Sequence, residues 1–201
     1  SFNNDNNQTL KSLDTKDRVI YLKSFSKIAM PGLRLAFMVI PRAIYKEVLS
    51  AKHISDISTS GLIQRAFDIY LSSGSWKRNL DHVSKVYLER FDIMTKAIQE
   101  YIPKEVSYTL PKGGLNFWLT LPDGYSSNEL YKKCLKYDLS IAPGSAFDVN
   151  QVDNEYFRLS VSSINTQDIE SGIIKLATII KEFLEEYQDI RPSLEVYNPF
   201  I

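Results

Sequence analysis

Between Ser75 and about Tyr101 apolar side chains recur at helical spacing for longer than anywhere else in the chain. Trp76, Leu80, Val83, Tyr87, Phe91, Met94 and Ile98 mark one stripe, the pattern of a helix that buries a single face. Ser75 stands where an amino-terminal cap belongs, and Pro103 closes the segment. A helix of this length predicts a connector between two lobes.

After it the period changes. Residues 106–110 and 115–121 read as strands around Pro111-Lys112-Gly113-Gly114, and Pro122-Asp123-Gly124 marks another turn. Ser127 to Tyr137 reads as a helix with Asn128 near its start. Leu139 to Ala142 and Tyr156 to Val161 read as strands. Thr166 is expected to cap a last helix to about Tyr187, with Ile169, Ile173, Leu176, Ala177, Ile180 and Leu184 on its apolar face. Residues 188–201 carry two prolines and read as an extended tail. These faces suffice for one α+β layer, so the chain is expected to fold around residues from about Ser75 to Tyr187.

Before the long helix, residues 1–17 hold four Asn and three Asp and read as a surface loop or frayed end. Val19 to Leu22 and Leu35 to Ile40 read as two short buried strands, the second ended by Pro41. Ile44 to Ser50 reads as helical, His53 to Gly61 as irregular. Leu62, Ile63, Ala66, Phe67, Tyr70 and Leu71 then form a helical face that Gly74 ends.

The loop between those two strands carries the chemistry: Ser24-Phe25-Ser26-Lys27-Ile28-Ala29-Met30-Pro31-Gly32-Leu33-Arg34. Hydroxyls and an arginine can share an anionic phosphate, the guanidinium bidentately. A lysine beside them can form an imine with a carbonyl once a neighbouring cation and reduced solvation lower its pKa. Phosphate, aldehyde and lysine together describe pyridoxal phosphate. Arg158 lies inside an apolar strand, Tyr156-Phe157-Arg158-Leu159-Ser160-Val161. A strand arginine is ordinarily an exposed edge residue, but its planar guanidinium also suits a planar carboxylate. His53 and His82 are isolated, and no metal site is expected.

The segment from Ser24 to Arg34 resembles the lysine motif of fold-type I pyridoxal-phosphate enzymes. The likeness continues through Pro111-Lys112-Gly113-Gly114, Ala142-Pro143-Gly144-Ser145-Ala146-Phe147 and Phe157-Arg158-Leu159-Ser160. Within that superfamily the chain most resembles the aminotransferase-like domain of MocR-type regulators of the GntR group, with aminoadipate-type aminotransferases close behind. Asp56 to Gln64, Tyr70 to Gly74 and Tyr87 to Asp92 resemble the regulators. Met30, Ala36 and Lys23 depart from the common pattern, and Lys23 raises the question of whether it crowds the phosphate loop.

The resemblance implies an α/β fold with an α+β small domain. Residues 1–74 would be the carboxyl-terminal remnant of the large cofactor domain and 75–101 the linking helix. Residues 102–187 would be the small domain and 188–201 a tail. It implies that Ser24, Ser26 and Arg34 bind the cofactor phosphate, Lys27 holds the cofactor covalently, and Arg158 grips the α-carboxylate of an amino-acid substrate or effector. With so few residues ahead of Lys27, the chain is expected to be a carboxyl-terminal piece of a longer protein. The rest would carry most of the parallel sheet, an aspartate for the pyridine nitrogen and a stacking aromatic. Pyridoxal 5'-phosphate is expected in the full-length protein, and this piece alone is expected to hold it poorly and to be inactive. The native unit is expected to be a homodimer.

Composition narrows the classes of partner. Twenty-four basic and twenty-four acidic residues among 201 leave no basic field, which argues against nucleic-acid binding by this chain. DNA would be reached only through a missing amino-terminal domain. Cys134 is the one cysteine, so no internal disulfide can form, and a cytoplasmic setting is the simplest. No apolar run approaches a membrane span. Three readings fit: an effector-sensing module of a MocR/GntR regulator, a free-standing aminotransferase acting on an amino acid and a 2-oxo acid, or a non-catalytic structural remnant in which Lys27 is idle.

Overall fold

A computed structural model of the chain describes residues 8–26, 29 and 31–195. The chain divides into two compact units, residues 3–85 and 86–201, and the division falls inside the long helix.

In the first unit, strand β1 (Tyr21–Ser24) pairs with β2 (Ala36–Val39). The two run antiparallel, Tyr21 opposite Val39 and Ser24 opposite Ala36. The motif's two strands thus pair directly as a hairpin, because the loop between them returns the chain antiparallel. Helices α1 (Tyr45–Ser55) and α2 (Gly61–Ser72) follow. The Ser60 hydroxyl accepts from the Ile63 N–H and caps α2, and Gly74, at φ +71°, supplies the left-handed turn after it.

Neither strand is buried as expected. Every residue of β2 is exposed and β1 alternates between half-buried and exposed. The apolar character of these residues calls for cover, but within this unit little supplies it. Phe67 is the buried large apolar residue here. Its ring lies 4.5 Å from that of Phe25, and Phe25 lies 5.7 Å from Phe37.

The polar amino end is more ordered than its composition suggests. Leu10–Leu13 form a 3-10 turn capped by Thr9. The Asp14 carboxylate then accepts from the N–H groups of Lys16, Arg18 and Val19 and from Lys11 Nζ. Asp17 accepts from the Arg42 N–H at 2.8 Å.

Helix α3 runs Ser75–Tyr101, the bounds its apolar stripe predicts. The second unit then builds a four-stranded antiparallel sheet in the order β3-β4-β6-β5. Its strands are β3 (Ser107–Thr109), β4 (Asn116–Thr120), β5 (Ala142–Pro143) and β6 (Tyr156–Ser160). Helix α4 (Ser127–Leu135) starts at a Ser126 cap, whose hydroxyl accepts from the Glu129 N–H at 3.0 Å. Helix α5 spans Ile169–Glu195.

Side chains alternate across each strand. Phe117, Leu119, Phe157 and Leu159 are buried, with Ile98 of α3, Leu130 of α4 and Ile173, Leu176 and Ile180 of α5 in the same core. The other face of the sheet carries Trp118 and Arg158. The Arg90 guanidinium binds the loop after β6, donating to the carbonyls of Val161 and Ser162 and to Thr166 Oγ1.

Three expectations shift. Thr166 does not cap α5. A 3-10 turn, Thr166–Asp168, enters the helix behind Asn165. The expected strand at Leu139–Ala142 shrinks to Ala142–Pro143, the only residues there in register with β6. The last helix passes Tyr187 and continues to Glu195, so residues 188–195 are helical rather than extended.

Candidate functional site

Ser24 ends β1. Its hydroxyl donates to Ser26 Oγ at 2.9 Å and accepts from the Ser26 N–H at 3.2 Å, a tight local turn that holds both oxygens together. The base of the loop is tied by the Phe25 N–H bonding to the Leu35 carbonyl at 3.0 Å. The Phe25 ring, between the two serines in sequence, packs on Phe67. An aromatic anchor thereby sets where the two hydroxyls stand. Lys23 does not crowd them, because strand alternation turns it to the face opposite Ser24.

Arg34 closes the same loop with φ +49°, a left-handed conformation that costs a residue with a Cβ on the order of 1–3 kcal/mol. Its side chain is exposed, and among the described residues its guanidinium has no partner. Two adjacent hydroxyls and an uncommitted guanidinium on one loop are a donor set that suits a phosphate monoester. The residues therefore fit the phosphate of pyridoxal phosphate. Lys27 lies outside the described residues.

Arg158 belongs to the second unit. It sits mid-strand in β6, opposite Trp118 of β4 and Ala142 of β5. It is half-buried, and among the described residues its buried Nε has no hydrogen-bond partner. A buried donor left open is unusual in a folded protein and calls for an explanation. A carboxylate ligand would supply one. Beside it, a cavity of about 260 Å3 is lined by Ile141, Ala142, Arg158, Ser160 and Ile173 among others. The structure thus joins Ser24 with Ser26 and, among the described residues, leaves the guanidinium groups of Arg34 and Arg158 without polar partners.

The sequence signals left some residues without a role. Phe147 lies with its ring centroid 4.7 Å from Arg158 Cζ, and Trp118 meets Phe147 edge-on at 5.4 Å. Nothing in residue spacing connects these three: the β4–β6 register pairs Trp118 with Arg158, and the turn after β5 brings Phe147 to them. Of the paired glycines, Gly114 needs its identity for a φ of +95°, and a Cβ there would meet nothing within 4 Å. Among the described residues no group of three or more His, Cys, Asp or Glu could hold a metal ion, and no helix is long and apolar enough to cross a membrane.

The chain is 36% identical over 166 residues to the 2-aminoadipate transaminase of Thermus thermophilus, covering 83% of this chain and 42% of that protein. It is 30% identical to the HTH-type transcriptional regulator TauR of Rhodobacter capsulatus, covering 86% of this chain and 36% of the regulator. Among solved structures, the multiple substrate aminotransferase from Thermococcus profundus matches with a TM-score of 0.82 at 30% identity, over 88% of this chain and 44% of that one. The chain therefore spans less than half the length of these relatives, and the fold is that of the carboxyl-terminal part of a fold-type I aminotransferase. The family model described as aminotransferase class I and II matches residues 2–176, and the chain belongs to that family.

Proposed function

We propose that this chain is the carboxyl-terminal part of a pyridoxal-phosphate-binding, aminotransferase-like domain that senses an amino acid within a MocR/GntR-type transcriptional regulator. The observation that carries the cofactor reading is the loop from Ser24 to Arg34, with its paired hydroxyls and open guanidinium. Similarity to TauR supports the regulator. On this reading residues 1–74 belong to the cofactor domain, 75–101 link the domains and 102–187 form the small domain. DNA is contacted by a domain outside this chain, and the working unit is a homodimer.

Ser24, Ser26 and Arg34 would hold the cofactor phosphate, and Lys27 would hold its aldehyde carbon through Nζ. When bound, the cofactor supplies an electron sink for bonds at the α carbon of an amino acid. The chain's own residues bind and orient. Ser24 and Ser26 donate hydroxyl hydrogens to phosphate oxygens, Arg34 adds charge, and Arg158 fixes the carboxylate and with it the direction of the α carbon.

A second reading, a free-standing aminotransferase, is favoured by the 36% identity to the Thermus transaminase. Lys27 Nζ would then also take a proton from the α carbon and return it. Reduction of the full-length, cofactor-loaded protein with borohydride tests the shared part. The reduced adduct is expected at Lys27 and is expected to vanish in Lys27→Ala. An adduct mapped to another lysine would remove Lys27 from this role. Transfer of an amino group to a 2-oxo acid by the same preparation favours the enzyme. Amino-acid-dependent DNA binding without transfer favours the regulator.

A further inference from the structure

Arg158 projects from β6, an inner strand of the sheet, and among the described residues no acidic side chain pairs with it. Among the described residues its guanidinium makes no hydrogen bond and no ion pair. What it does have is the ring of Phe147, 4.7 Å from Cζ to centroid. We infer that Phe147 is a positioning residue for Arg158: its ring holds the guanidinium by its flat face and leaves the N–H edges free for a carboxylate. This rests on the reading of Arg158 as the carboxylate site.

The two ways of steadying an arginine differ in what they leave over. A glutamate or a backbone carbonyl would bind the in-plane N–H groups, the same ones that a ligand carboxylate needs. An aromatic face attracts the cation through its quadrupole, perpendicular to that plane. The arginine is then oriented without being satisfied, which matches a buried Nε with no partner.

The ring itself is held. Phe147 ends the 3-10 turn Gly144–Phe147. That turn is tied to α4 by the Gly144 N–H donating to Ser127 Oγ and by Ser145 Oγ donating to Asn128 Oδ1 at 2.7 Å. Trp118, opposite Arg158 in the ladder, meets Phe147 edge-on and stacks with Tyr156 at 6.2 Å and 19°. Tyr156, Trp118, Phe147 and Arg158 thus form a row in which each ring braces the next. The bland account is that Phe147 merely covers Trp118. It predicts the same contacts, so affinity for chosen ligands must decide.

The test uses the full-length, cofactor-loaded protein. It is titrated with the standard L-amino acids and L-2-aminoadipate, and the tightest binder is compared with the amine lacking its α-carboxyl. Phe147→Leu should weaken amino-acid binding about 3- to 30-fold, the range of a cation–π contact, and leave amine binding unchanged. Phe147→Tyr keeps the ring and should bind as the parent does. Phe147→Met is a second ring-free variant and should follow Phe147→Leu. Equal losses for amino acid and amine, or no loss for either, overturn the inference. Arg158→Ala separates the two levels of the argument. It should erase the preference for the amino acid over the amine. If the preference survives that change, or the parent binds no amino acid, the carboxylate reading falls and this inference falls with it. If Arg158→Ala erases the preference and Phe147→Leu does not reduce it, the inference alone fails.

Discussion

A Cβ added at Gly144 would lie 2.0 Å from Asn154 Oδ1 and 2.8 Å from the Tyr156 carbonyl oxygen. Asn154 cannot simply swing away, because Oδ1 accepts from the Tyr156 N–H at 3.1 Å and Nδ2 donates to the Val152 carbonyl. The glycine is needed for close approach here, not for an unusual backbone angle. Gly144→Ala should therefore destabilise the second unit by about 1–3 kcal/mol, the usual cost of forcing atoms into filled space. Cys134 provides the readout. It is fully buried on α4, and burial pushes its thiol up to about 12, so it should be silent toward thiol reagents in the native state. In Gly144→Ala the thiol should react faster at a given urea concentration, because labelling follows opening of the unit. Equal labelling rates in variant and parent would show that the loop at Asn154 yields without cost.

Elements were legible where their own residues decide them, and less so where a distant partner does. The bounds of α3 follow from its apolar stripe and from Gly74 and Pro103. The loop between β1 and β2 could likewise be read from its serines and Arg34. The exposure of β1 and β2 could not, because apolar residues do not say what covers them. The pairing of Trp118 with Arg158 depends on register, which spacing leaves open. The amino end is the clearest case. Its polar composition suggests fraying, yet Asp14 gathers the segment through the Val19, Arg18 and Lys16 N–H groups and Lys11. Those bonds, the one from the Val19 N–H first, hold the Asp14 carboxyl well below the usual carboxylate range. Asp17 is lowered too, first by the Arg42 N–H and then by Lys11. A carboxyl with a depressed folded pKa contributes stability that is present above its unfolded value, about 3.9, and is lost as pH falls through the folded value. The turn should thus keep its structure from neutral pH down to about pH 4 and lose it only below that. Amide NMR shifts of Arg18 and Val19 measure this directly. They should stay flat down to that pH, and in Asp14→Asn they should already sit at altered positions at neutral pH. A titration of the parent centred at the ordinary carboxylate value would mean that the carboxylate cap does not form.

Burial in the molecule is unevenly divided. The apolar core runs from Met94 to Leu184, wholly within the second unit, as the strand and helix faces after Ser75 predict. In the first unit Phe67 is buried, while Leu22, Ile54 and Leu62 are 62%, 87% and 79% exposed. Hydrophobic burial is the largest favourable term in folding, so opening the first unit should need far less free energy than opening the second. The loop from Ser24 to Arg34, proposed above to hold the cofactor phosphate, lies in the weaker part. Ser24, Ser26 and Arg34 can bind phosphate tightly only if ordering β1, β2 and their loop is not charged against the binding energy. The isolated 201-residue chain should therefore show two tiers of amide exchange. Amides of β4 and β6 should exchange only with global unfolding. Those of β1, β2 and α2 should exchange by local opening, and faster by orders of magnitude. Added pyridoxal phosphate should slow the fast tier only at high concentration, because its binding must first order the loop. In the full-length protein the same amides should join the slow tier if residues outside this chain cover the apolar face of β2. Uniform protection across both units of the isolated chain would show instead that Phe67 and its aromatic neighbours suffice to hold the first unit, and tight cofactor binding by this chain would then be expected.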